Sequence, residues 1–131
     1  MSNIYKLKIH HIGIVIRNID QYLKNSFLSL TKKIYDPIQD SNLALVETYN
    51  DFFIELIEPI SKSSTTFNFL QAGGGYHHLC YLIDDENKLK EITSKYRIKI
   101  FWGPKPAVLF DNRNVAFGMN RNNEIIEFLL R

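Results

Sequence analysis

Apolar and polar positions along this chain fall into two matching series. The segment from His10, HHIGIVIRNID, opens with a histidine pair, continues as an apolar strand-like run and ends in Asp at a helix entry. The segment from His77, HHLCYLIDDEN, has the same layout. After the first, Ile19, Tyr22, Leu23, Phe27 and Leu30 fall near helical spacing, with Asp20 in the first turn. After the second, Leu89, Ile92 and Tyr96 repeat the pattern behind Asp84 or Asp85 as the cap. Three strands are then predicted in each half. The first half offers 33–38, 43–49 and 52–57, with a short hairpin turn at Tyr49-Asn50-Asp51. The second offers 98–102, 114–119 and 124–130, with its turn at Arg121-Asn122-Asn123. The closing strands, FFIELIEP and EIIEFLLR, also correspond.

Each unit therefore reads strand, helix, strand, strand, strand, and one such unit has too few residues for a core of its own. The two must pack together. The expected fold is a single α+β domain over residues 1–131 whose two βαβββ modules build one curved, mixed eight-stranded sheet with helices outside. Module 1 covers about residues 7–60, the linker 61–75 and module 2 about 76–131. The linker holds a Ser/Thr stretch, a short helical run at Phe67-Asn68-Phe69-Leu70 and a hinge at Gly73-Gly74-Gly75.

Composition narrows the function. Of 131 residues, 45% are hydrophobic and 23% charged, as in ordinary folded domains. A formal charge of +2, with the basic residues scattered, is too small for a nucleic-acid footprint. No apolar run approaches the roughly 20 residues of a membrane span. The N-terminal stretch MSNIYKLKIHH lacks the apolar core of a secretory signal, and the single cysteine, Cys80, forms no intrachain disulfide. The expectation is a cytoplasmic domain that acts on a small molecule.

Side chains alternate faces along a strand, so His10 and His11 are expected to point opposite ways. The phase of His10 runs through Ile12, Ile14 and Ile16, a bulky face suited to the main core. The phase of His11 runs through Gly13, and that of His78 through Cys80. These small neighbours leave room for a cavity beside His11 and His78. Each closing strand carries one acid inside an apolar run, Glu55 between Ile54 and Leu56, and Glu127 between Ile126 and Phe128. A carboxylate in such a place is costly unless paired, hydrogen-bonded or bound to a cation. Satisfied core or rim residues would explain one such acid less awkwardly than two at equivalent places of a repeat. Two imidazoles and two carboxylates make a mixed N/O set suited to a divalent transition metal with positions left open for substrate.

The double repeat with His11, Glu55, His78 and Glu127 resembles the vicinal oxygen chelate superfamily, which includes glyoxalase I and methylmalonyl-CoA epimerase. HHIGIVIRNID and IELIEPIS resemble its first module; GGGYHHLCYLIDD, NVAFGMN and EIIEFLL resemble its second. The wording is nearest to the methylmalonyl-CoA epimerase-like members. The resemblance implies one divalent ion (Ni, Co, Zn, Mn or Fe) held in the sheet's cleft by His11, Glu55, His78 and Glu127. It also implies an isomerase, epimerase or lyase that abstracts a proton next to a carbonyl through a metal-stabilised enolate. The implied substrate is a small carbonyl compound or acyl thioester. A glyoxalase I-like enzyme and a non-catalytic, antibiotic-sequestering protein are the alternatives.

Further roles follow from the same resemblance. Glu127 is the first candidate base. The family's second base has Leu45 at its place here, and Glu47, two residues on, is either its substitute or a solvated strand-end acid. Arg113, in the segment 102–113 that resembles a substrate-proximal loop, is a candidate clamp for a carboxylate or phosphate. Lys105 is a candidate point charge, and Gln39 a residue that approaches the pocket. Cys80 is expected to line the cavity, and His10 and His77 to take core or supporting roles. A homodimer is plausible because open sheet edges need cover.

Overall fold

The computed structural model describes residues 5–131, so the first four residues of the N-terminal stretch lie outside the described residues. Eight strands form one curled sheet: β1 (Ile9–Val15), β2 (Lys32–Asp36), β3 (Ser41–Glu47), β4 (Phe53–Pro59), β5 (Gly75–Ile83), β6 (Lys99–Ala107), β7 (Arg113–Met119) and β8 (Ile125–Leu130). Their spatial order, β2-β3-β4-β1-β5-β8-β7-β6, is symmetric about the β1/β5 seam. Within the modules β1 runs parallel to β4 and β5 parallel to β8. Across the seam β1 and β5 are antiparallel. The expected α+β fold of two βαβββ modules is present.

Helices α1 (Ile19–Lys24), α2 (Phe67–Gln71) and α3 (Glu86–Tyr96) complete the chain, with a short 3-10 turn at Val108–Phe110. Asn18 and Asp85 cap α1 and α3 through side-chain oxygens that accept from Gln21 N and Lys88 N. Helix α1 is shorter than its apolar spacing suggests. It stops at Asn25, and Phe27 beyond it is 96% exposed. Ser26 Oγ accepts from Leu28 N, a local bond that competes with continuing the helix. Strand β6, in contrast, runs on through the segment expected to be a loop, past a cis Gly103–Pro104 peptide, to Ala107. The two hairpin turns hold Asn50, Asp51 and Asn123 at positive φ, which these residue types tolerate.

The inner face of the sheet carries the largest core cluster, drawn from both modules and including Val15, Leu45, Ile57, Cys80, Phe110 and Leu129. On the outer face, Ile19, Ala44, Val46 and Leu56 pack beside α1 in module 1, and Ile83, Leu89, Ile92 and Phe128 pack beneath α3 in module 2. Ile14 and Ile16 join the outer cluster with α1, whereas His11, Gly13 and Val15 form the buried inner phase of β1. The Ile12-Ile14-Ile16 face thus meets a helix rather than the principal core. Among the described residues, no helix is long and apolar enough to cross a membrane.

Candidate metal centre

The four central strands each deliver one polar side chain to the same point on the inner face. His11 comes from β1, Glu55 from β4, His78 from β5 and Glu127 from β8. All four are almost completely buried, His11 and His78 at 0%, Glu127 at 3% and Glu55 at 4% exposure. Registry explains the convergence. Gly13 stands opposite both Glu55 on β4 and His78 on β5, while Cys80 stands opposite both His11 and Glu127. The two small residues therefore sit at the centre of the seam, Gly13 beside Glu55 and His78 and Cys80 beside His11 and Glu127.

His11 Nε2 lies 3.2 Å from Glu55 Oε1 and 2.9 Å from Glu127 Oε1. His78 Nε2 lies 3.4 and 3.0 Å from the same two oxygens, and 3.3 Å from His11 Nε2. Donors bound about 2.1 Å from one ion stand about 3.0–3.4 Å apart, whether in octahedral or tetrahedral array. The observed spacings match. Moreover, Glu127 Oε1 is buried with no partner in hydrogen-bonding geometry, although two imidazole nitrogens are close by. An oxygen that approaches two nitrogens without aligning to either is directed at the point between them, as a ligand atom would be. The residues present fit a divalent ion.

Without metal, the four side chains pair their own charges. Burial works against charge on Glu55 and Glu127, but the adjacent imidazoles prevail and hold both carboxyls below the ordinary range. Burial equally disfavours an imidazolium at His11 and His78. The neighbouring Cys80 and Glu127 at His11, and Glu127 and Glu55 at His78, raise both above 6.5. A second grouping, His10, His11 and Cys80, has ligand atoms within reach of one another. Burial, and then Glu127, push the Cys80 thiol up to about 12, so it is protonated in the metal-free protein.

His10 and His77 depart from simple alternation. On β1 a bulge between Ile9 and His11 inserts His10, and on β5 the step from Gly13 to Ile14 spans His77 in the same way. Each bulge turns the first histidine of its pair toward the second. Nδ1 of His10 lies 2.8 Å from Nδ1 of His11, and Nδ1 of His77 lies 2.8 Å from Nδ1 of His78. His10 also stacks on Phe53, and His11 on Phe110. Burial and the adjacent imidazoles lower both His10 and His77 to about 4, which leaves them neutral at pH 7.

A cavity of about 200 Å³ opens beside Glu55 and His78, with Phe101, Trp102 and Phe117 among its walls. Gln39 lines it, as the sequence suggested. Other candidates lie elsewhere. Glu47 is exposed at the end of β3, while Leu45 sits opposite Glu55. Arg113 is outside the cavity wall and its Nε donates to the Leu130 carbonyl. Cys80 is fully buried beside His11 rather than on the wall. Lys105 lies over the Trp102 ring, 5.0 Å from its centroid. Phe117 was readable in advance, since pairing across the Arg121-Asn123 turn sets it opposite Glu127. Thr66, another wall residue, sits in a loop without periodicity and left no such signal.

A two-module sheet with one His and one Glu from each module defines the class. The chain belongs to the glyoxalase/bleomycin resistance protein/dioxygenase superfamily, whose family model matches residues 10–117. Among solved structures it is similar to a hypothetical protein from Bacillus halodurans C-125, at 24% identity and a TM-score of 0.83, covering 97% of this chain and 96% of that one. It is also similar to methylmalonyl-CoA epimerase from Mycobacterium tuberculosis, at 18% identity and TM-score 0.78, covering 93% and 86%. A Streptomyces coelicolor methylmalonyl-CoA epimerase variant in complex with 2-nitronate-propionyl-CoA aligns at 18% identity and TM-score 0.77, covering 93% and 95%. No curated protein sequence matches at a significant level.

Proposed function

We propose that the protein is a divalent-metal-dependent isomerase, epimerase or lyase that removes a proton next to a carbonyl, with an acyl thioester as the favoured substrate type. One observation carries this reading: four buried donors converge with metal-ligand spacing, and the Oε1 atom of Glu127 has no hydrogen bond to satisfy it. His11, Glu55, His78 and Glu127 would hold the ion. When bound, it supplies Lewis-acid stabilisation of the negative charge that builds on the carbonyl oxygen as the neighbouring carbon loses its proton.

The chain's own residues do the rest. Glu127 is the proposed base: its carboxylate is ionised at neutral pH, and its Oε1 has no aligned hydrogen-bond partner to hold it back from a proton. His10 and His77 fix the rings of His11 and His78: a ligand histidine bound through Nε2 carries its proton on Nδ1, which then donates to the preceding histidine. The aromatic walls exclude water from the reacting carbon. Structures of methylmalonyl-CoA epimerase similar in fold, in complex with 2-nitronate-propionyl-CoA and with methylmalonyl-CoA, favour a thioester.

Hemithioacetal isomerisation of the glyoxalase I kind is the second reading. It is favoured by the cavity wall, where among the described residues Glu55 is the single carboxylate and Glu127 does not appear, so no pair of bases faces the cavity.

The test is metal content per chain, measured without chelators or an affinity tag, in the wild type and in a His11→Ala/His78→Ala variant. Near-stoichiometric metal that is lost in the variant supports the site. Acyl thioesters and hemithioacetals are then screened for proton exchange in heavy water. No metal uptake from nickel, cobalt, manganese or zinc would overturn the enzyme reading in favour of a ligand-binding relative.

A further inference from the structure

The cavity beside the cluster is unusual in what it lacks. Its walls are apolar at Ile57, Phe101, Trp102, Phe117 and Ile125, and neutral at Gln39, Thr65 and Thr66. His77 also lines it, with its Nδ1 2.8 Å from Nδ1 of His78. Among the described residues, none that lines it is a lysine or an arginine. Arg113, the cation best placed by sequence to meet a carboxylate, is turned to the Leu130 carbonyl instead. The filled cluster adds no positive surplus, because Glu55 and Glu127 together balance a divalent ion.

One polar group in this wall stands without a partner. Thr66 is 5% exposed, and its Oγ1 makes no hydrogen bond. It occupies the N-cap position of α2, where a threonine oxygen ordinarily accepts a backbone amide, yet no such bond forms. A buried hydroxyl left unpaired destabilises the fold, so its presence in a cavity wall points to a ligand that completes it.

We propose that this cavity takes the uncharged acyl end of the substrate, an aliphatic or aromatic group packed against Phe101, Trp102 and Phe117 and bearing a neutral oxygen, such as an ester or amide carbonyl, that accepts a hydrogen bond from Thr66 Oγ1. A substrate carrying a free carboxylate on that end is rejected, since the carboxylate would be buried without a counter-charge. The cavity, at about 200 Å³, is smaller than the roughly 300–1,000 Å³ of sites that enclose drug-sized ligands, so only the reacting end enters. This inference rests on the metal site proposed above.

Two chelating probes that differ in the charge of one group test it: the monohydroxamate of methylmalonic acid, and its methyl ester, which is neutral and keeps a carbonyl oxygen to accept from Thr66. Metal content of the nickel-loaded protein is measured first, and binding is then followed by calorimetry. The neutral probe is expected to bind on the order of 10- to 100-fold more tightly than the charged one. Thr66→Val should weaken the neutral probe about 3- to 10-fold, and Thr66→Ser should restore it. Metal content should be unchanged in both, and the Tm of Thr66→Val unchanged or higher. Equal or tighter binding of the charged probe overturns the inference while leaving the metal site intact, as does a Thr66→Val protein with lower Tm and undiminished probe affinity. Failure to load nickel or any other divalent ion overturns both readings, and is recognised before any probe is added.

Discussion

Gly13→Ala is the substitution that most directly tests how the seam holds the site. A Cβ built on Gly13 would lie 2.6 Å from both Nδ1 and Nε2 of His78, and closer still to Cε1. Ordinary carbon contacts need about 3.5–4.0 Å, so the ring must retreat by about 1 Å or more. It has little freedom to do so. Its Nδ1 is tied to His77, its edge packs on Phe117 at 5.1 Å between centroids, and its own strand is fixed opposite Gly13 by the β1/β5 ladder. Overpacking of this kind costs about 1–3 kcal/mol of stability. Displacing a ligand by this much should also lower metal affinity by at least about 10- to 100-fold, the effect of losing a supporting contact alone. Competition with a chromophoric chelator measures the affinity, and thermal melting of the metal-free protein measures the stability. Gly118→Ala is the control, since its Cβ would meet Ile98 Cγ2 at 2.8 Å, on a strand that carries no ligand. That variant should lose stability but keep its metal affinity. An unchanged metal affinity in Gly13→Ala would refute the proposed role of the glycine and the position assigned to His78.

Other expectations follow from the same geometry. Glu127→Gln should abolish proton exchange and weaken metal binding at least about 10-fold while the fold is retained, as judged by circular dichroism; full activity would remove Glu127 from the site. Because His11 and His78 are raised above 6.5 in the metal-free protein, their stabilising charge is fully present below about pH 6.5 and is lost as pH rises through their raised values. Metal must displace those protons, so its affinity should rise with pH, on the order of tenfold per unit for each imidazolium displaced, and the gap in Tm between metal-loaded and metal-free protein should widen. A gap that narrows from pH 5.5 to 8.5 would contradict this. Glu47→Gln, at an exposed strand end, should leave the exchange rate unchanged; a large loss would make Glu47 the second base.

What could be read from the sequence was what repeats. The strand order, the two modules and the central quartet are each written twice, and an acid in an apolar strand is conspicuous because burial makes it costly. What could not be read lay where local geometry overrode period. Alternation sends His10 and His11 to opposite faces, but a single inserted residue brings their rings into contact. The segment from Trp102 to Ala107 has the prolines and glycine of a loop, yet it pairs with β7 as an edge strand, where a missing amide donor is tolerated. Thr66 belongs to a connection, and only the folded chain shows that its hydroxyl ends up in a wall.

The two histidine bulges also constrain how the chain can change in length. On both flanks of the seam, partners across β1 and β5 have residue numbers that add to 90, as Ile9 with Tyr81 and Val15 with Gly75. In the window between the bulges the sum is 91, as His11 with Cys80 and Gly13 with His78. The extra residue on one strand is cancelled by the extra residue on the other. A deletion of His10 alone would leave one flank a residue out of step and turn its side chains to the wrong face, whereas removal of both His10 and His77 would restore a continuous ladder. Insertions and deletions at the seam are therefore tolerated only as matched pairs, so the two halves of the protein are bound to vary together.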